Sequence, residues 1–137
     1  MTSGPPTRVL ALDYGSARCG CALSDPTGTL ATPIEVVERP ATRKGMGRLL
    51  GLVREHGVKQ IVVGLPLGLS GGDTAQTVEA REFADTLAER LGGRVAVDLY
   101  DERFTTRIAQ QSGGASTAED SRAAAVLLED WLASRRL

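Results

Sequence analysis

The run Gln60-Ile61-Val62-Val63-Gly64-Leu65 constrains the fold more than any other stretch of this chain. From Ile61 onward it is apolar without alternation. A strand with one wet face would carry a polar residue at every second position, so this one is covered on both faces, as inner strands of parallel sheets are. Such a sheet needs helices against it, and the flanking segments supply them. Lys44 to His56 carries Met46, Leu49, Leu50 and Val53 at helical spacing and stops at Gly57. Asp73 to Leu91 reads as a second helix, with Asp73 or Thr74 as N-cap. Its apolar positions are Val78, Phe83, Ala84 and Leu87, and Gly92-Gly93 ends it.

The first third of the chain has a different period. Arg8 to Asp13 and Cys19 to Ser24 read as short strands joined by a turn at residues 15–18. Asp25-Pro26-Thr27-Gly28 is a turn signal leading into a third strand, Thr29 to Val37. Pro33 lacks an N–H, which confines that strand to an edge or a bend. Arg94 to Tyr100 is the fifth strand and Thr105 to Gln111 a short helix. The last helix is capped by Thr117 and shows Ala124, Val126, Leu127, Leu128 and Trp131 as its apolar face. A meander followed by alternating helices and strands predicts an α/β fold: a five-stranded mixed sheet, three antiparallel strands and then parallel additions, flanked by helices. Right-handed crossovers place the first and fourth strands side by side, with Asp13 mid-sheet. Residues 1–7 are expected to form a flexible N-terminal tail and residues 8–137 a single domain.

Composition narrows the class. The chain is 42% apolar and 24% charged, near the globular average, and 4% aromatic, so its core must be mostly Val, Leu, Ile and Ala. Cys19 and Cys21 fall on one face of a strand, a geometry unsuited to a disulfide. With His56 alone to help them, they cannot supply the roughly four ligands of a zinc site. They are expected to be small buried residues of a cytoplasmic protein. No signal peptide or membrane span is expected, hence no membrane partner. A net charge of −1 lacks the usual basic footprint of a nucleic-acid binder, although bound divalent metal would add positive charge. Locally, Arg8 and Arg18 lie near Asp13, Arg103 and Arg107 near Asp101-Glu102, and Arg39, Arg43, Lys44 and Arg48 form a further basic cluster.

Three acidic motifs stand far apart: Leu12-Asp13-Tyr14-Gly15, Tyr100-Asp101-Glu102-Arg103, and Glu119-Asp120 before Ala123-Ala124-Ala125. Two end strands and one opens a helix. Carboxylates gathered this way can hold divalent ions against a phosphodiester, since Mg²⁺ takes a few carboxylates plus water and phosphate oxygens. Two ions about 4 Å apart clamp both oxygens of an in-line displacement. Each motif also has a plainer reading. Asp13 could cap the turn at Ser16, Asp101-Glu102 could be a salt-bridged strand end, and acids favour helix N-termini such as that of Asp120 through the dipole. Of Asp101 and Glu102, only one can share a face with Asp13, and Glu102 is chosen. Gly64-Leu65-Pro66 through Gly71-Gly72 could offer N–H groups to a phosphate or be a simple connection. Thr105 and Thr106 could cap a helix or touch a sugar-phosphate backbone.

The order of the blocks is more telling than any one of them. Asp13-Tyr14-Gly15, then Val63-Gly64-Leu65-Pro66-Leu67 with Gly71, then Asp101-Glu102-Arg103-Phe104-Thr105-Thr106, then Asp120-Ser121-Arg122-Ala123-Ala124 resembles the YqgF/RuvX family along almost the whole chain. The resemblance implies a ribonuclease H-like fold related to RuvC-type resolvases. It implies a metal-dependent endonuclease acting on structured nucleic acid, either precursor 16S ribosomal RNA or a Holliday junction. It makes Asp13, Glu102 and Asp120 the catalytic and metal-binding acids, with two Mg²⁺ or Mn²⁺ ions bound together with substrate. Arg18, Gly71, Arg103, Thr105 and Thr106 are the expected nucleic-acid contacts. Family members often carry lysines before the last aspartate; here residues 111–119 have none. Two rivals accompany this expectation. A junction resolvase would need a two-fold homodimer to cut symmetric strands. A nucleic-acid-binding factor of transcription or ribosome assembly would show no turnover. An actin-like kinase is set aside, because a second lobe to close over ATP is missing at this length.

Overall fold

The structure is a computed structural model that describes residues 8–65, 74–101 and 117–135, the last with backbone alone for 117–120. Five strands form one sheet in the order β3-β2-β1-β4-β5. They are β1 (Arg8–Tyr14), β2 (Arg18–Ser24), β3 (Ala31–Glu38), β4 (Val58–Leu65) and β5 (Ala96–Asp101). Strands β1, β2 and β3 are antiparallel neighbours, while β4 joins β1, and β5 joins β4, in parallel. The mixed sheet and the central position of β1 are those expected from the sequence. The helices described are α1 (Arg43–His56), α2 (Ala75–Leu91) and α3 (Thr117–Arg135).

Helix α1 starts at Thr42, whose side chain accepts the Gly45 N–H, and stops at Gly57 in the left-handed conformation. Helix α2 starts in a reciprocal capping box between Thr74 and Thr77, so Thr74 rather than Asp73 is its cap. That box fixes the phase of α2. Thr77, Ala80, Phe83, Ala84, Leu87 and Leu91 turn inward, and Val78, read as apolar-face from the sequence, is 45% exposed.

The two sheet faces carry separate cores. Leu10, Leu12, Cys19, Cys21, Ile61 and Val63 pack under α1 and α2 with Leu49, Leu52, Phe83 and Leu87. Val9, Ala11, Ala22 and Val62 pack under α3 with Ala124, Ala125, Leu127, Leu128, Trp131 and Leu132. Both cysteines are free and buried on the first face, as expected. Val126, placed on the apolar stripe from the sequence, is half-buried at its margin.

Several boundaries differ from the sequence reading. Strand β3 begins at Ala31, because the Asp25 carboxylate takes the N–H groups of Thr29 (2.8 Å) and Leu30 (2.9 Å) into a closed loop and leaves Leu30 exposed. These bonds hold the Asp25 carboxyl well below its ordinary range. Pro33 lies on the edge strand beside a register shift, the place its missing N–H requires. Strand β5 starts at Ala96, two residues later than read. Strand β1 runs one residue past Asp13, where Tyr14 pairs with Cys19. The short helix read over 105–111 and the tail at 1–7 lie outside the described residues.

Candidate active site

Strand direction decides where the site lies. Strands β1, β3, β4 and β5 all end at the same edge of the sheet, since β3 is antiparallel to β2 and β2 to β1. Helices α1 and α2 return from that edge, so their N-termini are there too. Helix α3 is oriented by two contacts. The Tyr100 hydroxyl donates to Asp130 Oδ2 at 2.7 Å, and Arg135 Nη2 donates to Asp98 Oδ2 at 3.1 Å. As α3 advances from 130 to 135, β5 recedes from 100 to 98. The helix therefore runs antiparallel to β5, and its N-terminal turn points to the same edge. The carboxyl ends of strands in open α/β sheets are where ligands bind, and helix N-termini add positive potential.

Asp13 is half-buried at the end of the central strand. Alternation along β1 puts Val9 and Ala11 under α3, so Asp13 shares that face, while Tyr14 turns to the other. There the Tyr14 ring stacks on Phe83, with centroids 4.5 Å apart and planes at 28°. Burial, then the nearby Glu79, raises the Tyr14 hydroxyl above its ordinary pKa.

Of the two residues beside Asp13, Gly20 escaped the sequence reading, and Gly64 entered it only as the start of a candidate phosphate-binding loop. Gly20 pairs with Asp13 across β1–β2. On the other side, Leu12 pairs with Val63, so the next position along β4 is Gly64, which pairs with Tyr100 on β5. Across the α3 face the row thus reads Gly20, Asp13, Gly64, Tyr100. Neither neighbouring strand presents a side chain beside the carboxylate. The available signal was a glycine inside each strand pattern, which marks close approach of another group. The arrangement sets one carboxylate, an oxygen donor of the kind a hard divalent ion takes, between two residues that have no side chain.

Tyr100 forms the far end of this row. Burial first and its hydrogen bond to Asp130 second push the phenol up to about 12. It ties β5 to α3 two residues before Glu102.

Of the residues expected at the site, Asp13 is placed as described. Arg18 opens β2, half-buried, opposite Glu38 of β3. Asp120 lies in the first turn of α3, with its backbone described and its side chain not. Gly71, Glu102, Arg103, Thr105 and Thr106 lie outside the described residues. Among the described residues no group of three His, Cys, Asp or Glu side chains is positioned to hold a metal ion. The basic cluster divides. Arg48 pairs with Glu35 at 2.6 Å and Glu55 at 3.0 Å, which holds the Glu35 carboxyl below its ordinary range. Arg39, Arg43 and Lys44 are exposed.

The fold resembles T. thermophilus RuvC, solved in complex with Holliday junction substrate, with a TM-score of 0.60, covering 95% of this chain and 96% of that one. A second Thermus thermophilus RuvC structure gives 0.57 over the same shares. Identities of 16% and 15% make this a likeness of fold, and that fold is ribonuclease H-like. The model of the RuvX family, described as Holliday junction resolvase, matches residues 7–134, and the chain belongs to that family. It is 42% identical over 137 residues to a Mycolicibacterium paratuberculosis protein named "Putative pre-16S rRNA nuclease", covering 94% of this chain and 81% of the relative. A Chloroflexus aurantiacus protein of the same name is 35% identical over 136 residues, covering 93% and 88%. The chain is accordingly a nuclease, a hydrolase of phosphodiester bonds with nucleic acid as substrate. Enzymes of the RuvC-like class generally use divalent metal ions.

Proposed function

We propose that this protein is a metal-dependent endonuclease that trims the 5′ end of precursor 16S ribosomal RNA, with Asp13, Glu102 and Asp120 as its catalytic acids. One observation carries the assignment of the acids: Asp13 stands on the α3 face at the strand-end edge, flanked by Gly20 and Gly64. The other two acids are chosen from the sequence: Glu102 follows two residues after Tyr100, which lies on the α3 face of β5, and Asp120 precedes the fully buried Ala124 by four residues.

In this reading the three carboxylates would hold two ions, Mg²⁺ or Mn²⁺. Bound there, the ions would supply an acidified attacking water and neutralise charge on the leaving 3′-oxygen. The chain's own part is positional. The sheet fixes the Asp13 backbone through its pair with Gly20 and, one residue back, the pair of Leu12 with Val63, α3 carries Asp120, and the Tyr100–Asp130 bond locks strand to helix. Arg18, Arg103 and the loop at Gly71 would position phosphates, and Thr105 and Thr106 the adjoining backbone. Residues 8–137 would work as one domain. Two free, buried thiols accord with a cytoplasmic location, and among the described residues no helix is long and apolar enough to cross a membrane.

The RNA assignment follows the names of the curated relatives. The description of the family model and the RuvC fold favour a second reading, a Holliday junction resolvase. Both are tested by incubating the protein in Mn²⁺ with precursor ribosomal RNA and with a four-way DNA junction. Asp13→Asn should lower cleavage by more than about a hundredfold with the thermal midpoint unchanged or raised. Cleavage by the variant equal to that of the parent would remove Asp13 from the chemistry. Paired symmetric nicks in the junction, made by a sedimenting dimer, would move the assignment to resolvase.

A further inference from the structure

We propose that Arg39, Arg43 and Lys44 form a docking track for the sugar-phosphate backbone of the substrate strand as it leaves the cleavage site over the β1–β2 turn. The inference deepens the reading of this edge as the place of cleavage and rests on it.

Position comes first. Strand β3 ends at the same edge as β1, two strands away, which is about 10 Å across the sheet. Arg39 follows β3 directly, and its N–H donates to Ala17 O at 2.9 Å, so the β3–α1 connection is fastened to the turn that follows Asp13. Arg43 and Lys44 begin α1 at that edge.

Electrostatics comes second. Cations at a helix N-terminus oppose the macrodipole, and carboxylates are the residues favoured there. Helix α1 has no acid in its first turn and opens with Arg43-Lys44. All three cations are exposed, and the ion pairs described for α1 engage Arg48 instead. The flank toward α2 has the opposite sign. A pocket of about 290 Å³ lies between the connection and α2, bounded by Ala41 and Met46 on one side and by Glu79 and Glu82 on the other. A polyanion crossing the edge is repelled from α2 and drawn toward the β3–α1 connection and the start of α1.

Backbone construction comes third. Arg39 has φ 47°, a left-handed conformation that a β-carbon makes unfavourable and that glycine adopts freely. The chain nevertheless places an arginine there. Its carbonyl accepts the Thr42 N–H at 3.0 Å and the Thr42 hydroxyl at 2.7 Å. Gly45 passes so close beneath that an added β-carbon would meet Arg39 O at 2.2 Å. The cations are thus mounted on a fixed support, in a conformation kept at some cost to stability.

The test is the anisotropy of a labelled single-stranded RNA and a labelled four-way DNA junction across a salt series in EDTA, where cleavage is off. Changing Arg39, Arg43 and Lys44 together to Ala should weaken binding about tenfold at low salt. It should also reduce the slope of log K against log salt by about 2, the value for three lost contacts to a single strand. A control with Arg54, Lys59 and Arg90 changed to Ala removes equal charge at the opposite edge and should leave the slope unaltered. The single variant Arg39→Gly keeps the fold in view: its thermal midpoint should match or exceed that of the parent while its slope falls by about 0.7. Unchanged slopes, equal losses in both triple variants, or no binding by the parent would each overturn the track. None of these results bears on whether Asp13→Asn abolishes cleavage, so the two readings fail separately.

Discussion

The two faces of the sheet are built on different scales. Under α1 and α2 the packing residues are large, Leu10, Leu12, Ile61, Leu49, Leu52 and Leu87, with Phe83 stacked on Tyr14 at the rim. Under α3 the sheet offers Val9, Ala11, Ala22 and Val62, and the N-terminal half of the helix answers with Ala124 and Ala125. Bulk appears on that side only toward the C-terminal half, at Leu127, Leu128 and Trp131. Small residues let a helix lie close to a sheet, and here they occupy the half of α3 that leads to the strand-end edge. One face therefore supplies most of the large buried side chains, and the other turns a helix N-terminus toward the edge where Asp13 stands.

Three substitutions would break or sharpen this contrast. Leu87→Ala, in the thick face, should cost about 3 kcal/mol by emptying a fully buried site. Cleavage per folded molecule should stay at the parental rate, as read by denaturant unfolding and by turnover at low temperature. A large fall in turnover would mean that the thick face also shapes the site. Ala124→Leu, in the thin face, should cost about 2 kcal/mol by overpacking and lower turnover far more than Leu87→Ala does, because it lifts α3 from the sheet. Turnover that survives would show that the close approach of α3 serves packing alone. Tyr100→Phe should cost about 1 kcal/mol, given the partial exposure of its bond to Asp130.

The pH dependence of that bond has a definite sign. The folded phenol titrates near 12 against an ordinary 10, so the fold favours the neutral, donating form. Its contribution is full below pH 10 and is lost as pH rises from 10 through 12. Between those values the thermal midpoint of the parent should fall more steeply than that of Tyr100→Phe. Parallel curves would remove Tyr100 from the linkage.

Periodicity alone gave the sheet. The unalternating run after Gln60 demanded an inner parallel strand, Pro33 demanded an edge, and the change from period 2 to period 3.6 near residue 44 separated meander from crossovers. Each of these is a local property that the backbone must satisfy wherever it sits. The misreadings were also local in cause but needed partners to see. Val78 turned outward because a Thr74–Thr77 capping box set the phase of α2. Leu30 left the strand because the Asp25 carboxylate claimed its N–H.

For the site, the ordered motifs named the family and the three acids, and the chain's own pattern put Asp13 at the end of a central strand. Which faces meet is another matter. That Gly20 and Gly64 flank Asp13, that Tyr100 reaches Asp130, and that Arg39 is fastened to the β1–β2 turn are facts of register and crossover between segments 7 to 51 residues apart. Local sequence determines which way a side chain points from its own element. Only pairing of the elements, driven by burial of two separate cores, determines what it points at.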